Sequence, residues 1–213
     1  FLKLLENKEK IFIIGAGSNI LITDELYDGI IIKLGKNFDR LSILNSDIII
    51  AGAAVSDKKL AEFAANNNVS GFEFLACIPG TIGGGLRMNA GCFGTEIKDI
   101  LISIQAVDKS GNIISIPANE INFDYRYNNL SDDLIFLSAS FKGKKQDSQK
   151  IIETMSKLKD KKNNNQPTRV KTSGSTFKNP IKSTSKKAWE LIKESVPANI
   201  SFGEAGISDK HSN

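Results

Sequence analysis

The first segment of this sequence that could do chemistry is a glycine-containing stretch after a strand-like run. The run IFII leads directly into residues 15–19 (GAGSN). Gly15 and Gly17 lack a Cβ, so the backbone can turn its N–H groups outward. Successive outward N–H groups form a pocket for an anion, and Ser18 and Asn19 add short side-chain donors. The pattern favours binding of a phosphate group.

A second glycine cluster occupies residues 78–94 (IPGTIGGGLRMNAGCFG), which hold six of the 17 glycines in the chain. Pro79 stiffens the start of this segment, and apolar residues such as Ile82 and Leu86 anchor it. The composition is typical of an ordered loop whose backbone approaches a ligand closely. Two such loops on one β-rich scaffold can hold a diphosphate from both sides. From these residues alone, plain connecting loops remain an alternative.

The first loop does not fit a Rossmann dinucleotide fingerprint. That fingerprint needs a third glycine, which lets the helix pack closely on the strand, and Ile20 occupies this position. The residues that follow (ILITD) are largely β-branched and predict a strand, not the first turns of a helix. No acidic residue stands at the usual ribose-binding distance after a helix. The sequence therefore favours a different kind of phosphate-binding fold.

The composition is that of a soluble globular chain of one or two domains. Of the 213 residues, 40% are hydrophobic and 24% are charged, and the net charge is +4. The basic residues are spread along the chain, whereas nucleic-acid binding favours a concentrated basic face. Cys77 and Cys92 form no CxxC pair and no disulfide framework, which favours a reducing compartment. No metal site is predicted. No apolar stretch approaches the ~20 residues of a membrane helix, and no signal peptide is predicted.

Short strands must position both glycine segments. Runs rich in β-branched residues predict strands at 11–14, 29–34, 47–55, 101–108, 112–117 and 134–141. A helix is predicted after the capping residue Ser56 and ends at the asparagines 66–68. Further helices are predicted at 148–162 and 187–194. Between them, residues 161–169 predict a polar linker in which Pro167 blocks helix continuation.

Five segments, in this order, resemble the UDP-N-acetylenolpyruvoylglucosamine reductase (MurB) family. They are GAGSNILITD (15–24), IPGTIGGGLRMNAGCFG (78–94), DYRY (124–127), SGSTFKNP (173–180) and SDKHSN (208–213). The resemblance spans nearly the whole chain and implies an α+β fold. It consists of an FAD-binding domain of the vanillyl-alcohol-oxidase/PCMH type with two subdomains, followed by a small α+β MurB C-terminal substrate domain. We place the FAD-binding domain at 1–147 and the substrate-binding domain at 148–213.

The resemblance implies a cytoplasmic flavoenzyme of peptidoglycan precursor synthesis. It would use NADPH to reduce the enolpyruvyl ether of UDP-N-acetylglucosamine to UDP-N-acetylmuramate. The expected partners are this UDP-sugar and NADPH, without nucleic acid or membrane, and the expected state is a monomer. FAD is expected to be bound non-covalently, because the one histidine, His211, lies in the C-terminal motif outside the flavin-binding portion.

The resemblance also implies which residues hold FAD. The first glycine segment supplies Gly15, Ala16, Gly17, Ser18 and Asn19. The second supplies Pro79, Gly80, Thr81, Gly83 and Gly84. In both segments the main-chain N–H groups would receive the flavin diphosphate.

Arg126 matches the family's stabiliser of the negative charge that builds on the carboxylate side of the substrate. A guanidinium stays cationic and binds a carboxylate through two parallel hydrogen bonds. The residues alone also fit a surface arginine after a β-run. The family usually has a serine two positions later, where this chain has Asn128, so the hydrogen bonding at that position is left open.

Ser175 matches the family's proton donor, and Gly174 before it allows close approach. A serine hydroxyl is a weak acid, so it must be aimed at a strong base such as a carbanion-like intermediate. The SGS sequence also fits an ordinary turn. Lys178 and Asn179 follow and suit the UDP phosphates of the substrate.

The family has a catalytic glutamate downstream of its C-terminal histidine motif, and this sequence ends at Asn213. Strands that the family places before the first glycine segment are also absent ahead of Phe1. We therefore expect the native protein to be longer than this chain. The short interval after Pro180 predicts the branch of the family that lacks a tyrosine-bearing lid.

Two alternatives stay open at the level of sequence. The first is another flavin enzyme of the same fold, such as an oxidase of small alcohols. It predicts fast reaction of the reduced flavin with oxygen and no response to the UDP-sugar. The second is a non-catalytic nucleotide-binding or RNA-binding module. It predicts a colourless protein whose nucleic-acid affinity depends on salt.

Overall fold

The computed structural model describes residues 1–5, 9–165, 174–197, 199–208 and 211–213. Their contacts group the chain into two units, residues 1–158 and 159–213. The domain boundary predicted near residue 147 stays a prediction. Pro167 of the predicted linker, Ser173 of the SGS turn, and Asp209 and Lys210 of the C-terminal motif lie outside the described residues.

The described residues form four α-helices and a set of short strands. The helices are α1 (Asp57–Asn66), α2 (Ile82–Arg87), α3 (Ser148–Asn165) and α4 (Ala188–Ser195). The strands are β1 (Ile11–Ile13), β2 (Ile30–Ile32), β3 (Leu41–Leu44), β4 (Ile48–Gly52), β5 (Val69–Ser70), β6 (Gly91–Cys92), β7 (Thr95–Glu96), β8 (Leu101–Val107), β9 (Ile113–Pro117), β10 (Phe123–Asp124), β11 (Tyr127–Asn128), β12 (Ile135–Lys142), β13 (Lys144–Lys145), β14 (Ser201–Phe202) and β15 (Ala205–Gly206). None of these helices combines the length and apolar character that a membrane span requires.

A five-stranded antiparallel sheet forms the centre of the first unit. Its strand order is β3-β4-β12-β8-β9, and each neighbouring pair is antiparallel. Alternate residues of its strands face the core, among them Ile49, Ile104 and Phe141, which are fully buried. Helix α2 packs against β4 and β12. Separately, β1 and β2 form a parallel pair.

Helix α1 follows the sequence prediction. The side chain of Ser56 accepts a hydrogen bond from the main-chain N–H of Lys59 at 3.2 Å, which caps the helix at its predicted start. Leu60, Ala61 and Ala64 share one face and are buried in the core. Helix α1 begins beside the second glycine segment, because Ser56 lies opposite Thr81 and the N–H of Asp57 donates to the carbonyl of Gly80 at 3.2 Å.

Three local predictions were wrong. Residues 20–24 form no strand, and the side chain of Leu21 is 90% exposed; β-branched composition alone forms no strand without a neighbour to pair with. The second glycine cluster, predicted as a loop, contains α2. Helix α3 continues to Asn165, into the stretch predicted as linker.

Candidate functional site

The first glycine loop, residues 15–19, follows β1 and is largely exposed. Its start is held by a hydrogen bond of 3.0 Å from the N–H of Ile14 to the carbonyl of Ile32. Gly17 has φ +77°, a left-handed conformation that favours glycine. A Cβ at Gly17 would have no atom within 4 Å. The backbone at this turn therefore faces open space.

The second glycine segment, residues 79–85, is fastened to the core from below. The N–H of Ile82 donates to Val55 at 2.8 Å, and the N–H of Gly83 donates to Ala53 at 2.9 Å. Thr81 lies opposite Ser56 in an isolated antiparallel bridge. The two residues form a non-hydrogen-bonded pair, because the bonds run between their neighbours, from Asp57 to Gly80 and from Ile82 to Val55. In such a pair the N–H of Thr81 points away from Ser56. It donates to no other protein group within the described ranges.

The two glycine segments, far apart in sequence, lie against each other. The hydroxyl of Ser18 donates to the carbonyl of Pro79 at 2.6 Å. A Cβ on Gly15 would lie 2.5 Å from Oγ1 of Thr81. Such close approach requires a residue without a side chain. The two segments thus form one surface lined with backbone atoms. Binding of a diphosphate through main-chain N–H groups requires such a surface.

Asp57 lies under this surface, at the first position of α1. Its side chain is 0% exposed, and neither carboxylate oxygen has a hydrogen-bond partner among the described residues. A Cβ on Gly80 would lie 2.7 Å from Oδ2, and one on Gly85 would lie 3.3 Å from Oδ1. Burial raises the pKa of this carboxyl from 3.8 to about 7. Sequence reasoning missed Asp57, because an acidic residue in the first turn of a helix is ordinarily a solvent-exposed partner of the helix dipole.

Arg126 lies at the turn of the β10–β11 hairpin. It has φ +56°, an uncommon conformation for a residue with a side chain. Its Nη2 donates to the carbonyl of Gly91 at 3.3 Å, and its guanidinium lies 5.5 Å from the ring centre of Tyr125. The hairpin thus directs a half-buried cation toward the end of the second glycine cluster.

Asn128, the residue that replaces the usual serine, forms hydrogen bonds through both its Nδ2 and its Oδ1. Its Nδ2 donates to the carbonyls of Leu86 and Arg87, each at 2.9 Å, and its Oδ1 accepts from the N–H of Leu130 at 3.0 Å. Leu86 and Arg87 are the last residues of α2, where helical donors become scarce. The carbonyl of Leu86 also accepts from the N–H of Asn89 at 3.3 Å. The buried amide bonds to both carbonyls and fixes the hairpin to the second glycine cluster.

Asn89 provides a second brace between the same two elements. It is 0% exposed. Its Nδ2 donates to Glu96 Oε2 at 2.9 Å and to the carbonyl of Asp124 at 3.2 Å, and its Oδ1 accepts from the N–H of Lys98 at 3.2 Å. Asp124 lies two residues before Arg126. No sequence signal distinguished Asn89 from exposed asparagines, since its importance comes from burial.

The second unit holds the other predicted site residues. Ser175 and Lys178 are exposed, and Gly174 has φ +77°. The main chain of Phe177 is paired with the side chain of Asn213 through bonds of 2.7 and 2.9 Å. The segment GSTFKNP is thereby joined to the C-terminal motif.

Asn179, predicted to bind substrate, has a structural contact at the start of α4. Its Oδ1 accepts from the N–H of Ala188 at 3.0 Å, which satisfies one of the unpaired donors of that helix. The side chain is half-buried. A role in substrate binding for Lys178 and Asn179 stays a prediction, and so do the roles predicted for Arg126 and Ser175.

Comparison with known proteins assigns both parts of the chain. Residues 2–117 match the family described as FAD binding domain. Residues 166–213 match the UDP-N-acetylenolpyruvoylglucosamine reductase C-terminal domain.

Relatives match along the whole chain. The chain is 63% identical to a UDP-N-acetylenolpyruvoylglucosamine reductase of Pelagibacter ubique (strain HTCC1062), over 100% of this chain and 70% of the relative. It is 44% identical to the reductase of the same name from Rickettsia conorii, over 99% and 70% of the two chains. Both relatives are longer than this sequence.

Two solved structures share its architecture. The crystal structure of UDP-N-acetylenolpyruvylglucosamine reductase (MurB) from Thermus caldophilus superposes with a TM-score of 0.84 at 28% identity, covering 100% of this chain and 77% of that one. Quinoline 2-oxidoreductase from Pseudomonas putida 86 superposes with a TM-score of 0.52 at 17% identity, covering 66% and 54%. The latter likeness concerns the fold alone. Together with the matched domains, these structures confirm the predicted fold class.

Proposed function

Because this chain belongs to the UDP-N-acetylenolpyruvoylglucosamine reductase (MurB) family, we propose that it reduces UDP-N-acetyl-3-O-enolpyruvylglucosamine to UDP-N-acetylmuramate with NADPH as the reductant. FAD is the cofactor that its N-terminal domain family implies. The reaction is a step in peptidoglycan precursor synthesis. The observation that carries the proposal is the contact between two glycine segments in a chain that matches reductases along its whole length.

The residues of the glycine segments fit the diphosphate of FAD. The bare backbone at Gly17 faces open space, and the N–H of Thr81 points away from Ser56. A side chain at Gly15 would collide with Thr81 and fill the cradle between the segments. We assign the diphosphate to main-chain N–H groups of residues 15–19 and of the turn that begins at Pro79. The N–H of Gly83 is occupied by Ala53, so Gly83 contributes mainly by lacking a side chain.

When bound, FAD supplies the hydride for the terminal vinyl carbon of the substrate. Negative charge then builds on the carboxylate side of the enolpyruvyl group. Arg126 is assigned to this charge, since a fixed guanidinium binds a carboxylate through two parallel hydrogen bonds. A fixed donor of this kind contributes roughly 3 kcal/mol to a transition state. The pairing of β10 with β11 holds its backbone in place, and the hydrogen bond to Gly91 holds its side chain.

Ser175 is assigned as the proton donor. It would deliver the proton that completes the reduction to the carbon that bears the ether and the carboxylate. Its exposed position after a left-handed glycine leaves the hydroxyl accessible. Lys178 and Asn179 are assigned to the phosphates of the UDP-sugar. In this proposal, residues 1–147 bind FAD and residues 148–213 bind substrate, in a monomeric cytoplasmic enzyme that has no nucleic-acid or membrane partner.

A spectroscopic experiment on the purified protein tests the proposal. We expect a yellow protein with visible flavin absorbance, and NADPH oxidation that depends on the enolpyruvyl UDP-sugar. Fast oxygen consumption without any response to the UDP-sugar would indicate an oxidase instead. A correctly folded protein that retains no flavin when FAD is supplied would overturn the assignment altogether.

A further inference from the structure

The buried carboxyl of Asp57 plays no part in the proposed reduction. It is 0% exposed, and both of its oxygens lack a partner among the described residues. An ionised carboxylate in such surroundings is strongly disfavoured unless it is paired. A residue of this kind at the floor of an anion-binding surface is an unusual choice, because a negative charge there opposes the ligand.

The carboxyl is tightly coupled to the second glycine segment. The main-chain N–H of Asp57 donates to the carbonyl of Gly80 at 3.2 Å. Oδ2 lies near Gly80, in the turn before α2, and Oδ1 lies near Gly85, inside α2. Ser18 of the first loop contacts the same place, since its hydroxyl lies 3.6 Å from the position of a Cβ on Gly80. Asp57 therefore lies beneath the junction of both glycine segments.

No cation in the neighbouring elements compensates Asp57 within the described part of the chain. The charged groups of α1, α2 and the turn before β8 have other partners. These pairs are Lys58 with Glu62, Lys59 with Asp39, Lys98 with Glu96, Asp99 with the N–H of Glu96, and Arg87 with the carbonyls of Leu130 and Leu134. Residues 15–19 and 79–85 carry no ionisable side chain. Burial is therefore the cause that raises the pKa of Asp57 to about 7.

We propose that Asp57 is a proton-binding group of the flavin site, such that FAD binds with high affinity to the form in which this carboxyl is protonated. Binding above neutral pH then takes up one proton from solvent, which converts the carboxylate into the neutral acid. The physical reason is repulsion between the diphosphate and an unpaired carboxylate across a thin layer of backbone, where water does not screen the charges. This inference rests on the proposed placement of the diphosphate at the two glycine segments.

The test is the pH dependence of FAD affinity, measured by quenching of flavin fluorescence from about pH 6 to about pH 8.5. Oxidised FAD has no group that titrates in this interval, so the dependence reports on the protein. For the wild-type protein we expect the Kd to rise above pH 7 by up to about tenfold per pH unit. Calorimetry in phosphate and in Tris, which differ in ionisation enthalpy, should show proton uptake that approaches one per FAD.

Two variants identify the group. Asp57→Asn cannot ionise and should bind FAD with a pH-independent Kd and no proton uptake. Asp39→Asn is the matched control, because it removes an exposed carboxylate beside the same helix and should keep the wild-type dependence. If Asp57→Asn does not fold, Asp57→Ser takes its place, and the proton uptake of the wild-type protein still tests the inference.

A Kd that is constant with pH in the wild-type protein would overturn the inference, and so would a pH dependence that persists in the Asp57 variants. Either result leaves the proposed function intact, because FAD still binds. A folded wild-type protein that binds no FAD at any pH would instead refute the proposed function itself.

Discussion

In the first unit, the segments assigned to the cofactor and the hairpin that carries Arg126 are fixed by long-range hydrogen bonds from side chains to main-chain carbonyls. Ser18 bonds to a carbonyl 61 residues away, and Asn128 bonds to one 42 residues away. In the second unit, Ser175 is exposed, and Ala188 is the one buried hydrophobic side chain among its described residues. We therefore expect changes at the glycine segments and at Asn128 to alter stability and flavin retention, and changes at Ser175 to alter the rate.

The largest expected effect is a loss of reaction rate when Ser175 is replaced. Ser175→Ala should leave reduction of the flavin by NADPH intact and slow its reoxidation by the enolpyruvyl substrate roughly 10²- to 10⁴-fold, the usual contribution of a positioned acid. Stopped-flow absorbance of the flavin measures both half-reactions. Thr176→Ala, in the same exposed loop, should be nearly neutral. Equal loss of both half-reactions would indicate that Ser175 has a folding role. The two units would then not differ in whether their residues affect stability or rate.

The next effect concerns stability and pH. The pKa of Asp57 is about 7 in the folded protein, whereas its ordinary value is 3.8. Between these two pH values the folded state therefore binds more protons than the unfolded state. The wild-type protein therefore loses stability as pH rises through this window, by up to about 4 kcal/mol from this one group. Asp57→Asn resembles the protonated form and avoids the loss. Chemical denaturation without FAD should show the variant near wild type at about pH 4 and more stable at about pH 8. The same difference at both values would contradict the assignment.

Asn128→Ala tests the brace between the hairpin and α2. It removes three hydrogen bonds, two of them to the carbonyls of Leu86 and Arg87 at the end of α2, which should cost about 2 to 3 kcal/mol. For a chain of this size each kcal/mol lowers Tm by roughly 2–4 °C. Asn129→Ala, an exposed neighbour with one bond to the N–H of Asn122, is the control and should cost less than half as much. Equal costs would show that burial does not set the strength of the brace.

The smallest effect concerns affinity for the cofactor. A methyl group at Gly80 would lie 2.7 Å from an oxygen of the enclosed Asp57 side chain, so Gly80→Ala must shift the second glycine segment. We expect FAD affinity to fall about tenfold, or roughly 1.4 kcal/mol. Gly35→Ala adds a methyl group in open space at an ordinary φ and should bind FAD as the wild type does. Unchanged binding by Gly80→Ala would argue against close approach of the cofactor to this turn.

Local sequence predicted those elements whose stability is local. Ser56 caps α1 as its residue type indicates, and the β-branched runs at 101–108 and 134–141 form central strands. The prediction failed at residues 20–24, where the composition favours a strand but the fold supplies no partner. It also missed α2, because three consecutive glycines are poor helix formers on their own. Packing of this helix against β4 and β12 overrides that preference.

The sequence by itself determined the presence of two glycine segments, their likeness to a flavin-dependent reductase family, and the candidates Arg126 and Ser175. Tertiary structure alone decided that Ser18 meets Pro79, that Asn128 caps the end of α2, and that Asp57 is enclosed without a side-chain partner among the described residues. The reason is that the residue types set local backbone preferences and donor chemistry, whereas burial and long-range contact depend on which strands pair across the sheet. A carboxyl that would be an ordinary surface charge on an isolated helix becomes a group with a pKa of about 7 because the fold buries it.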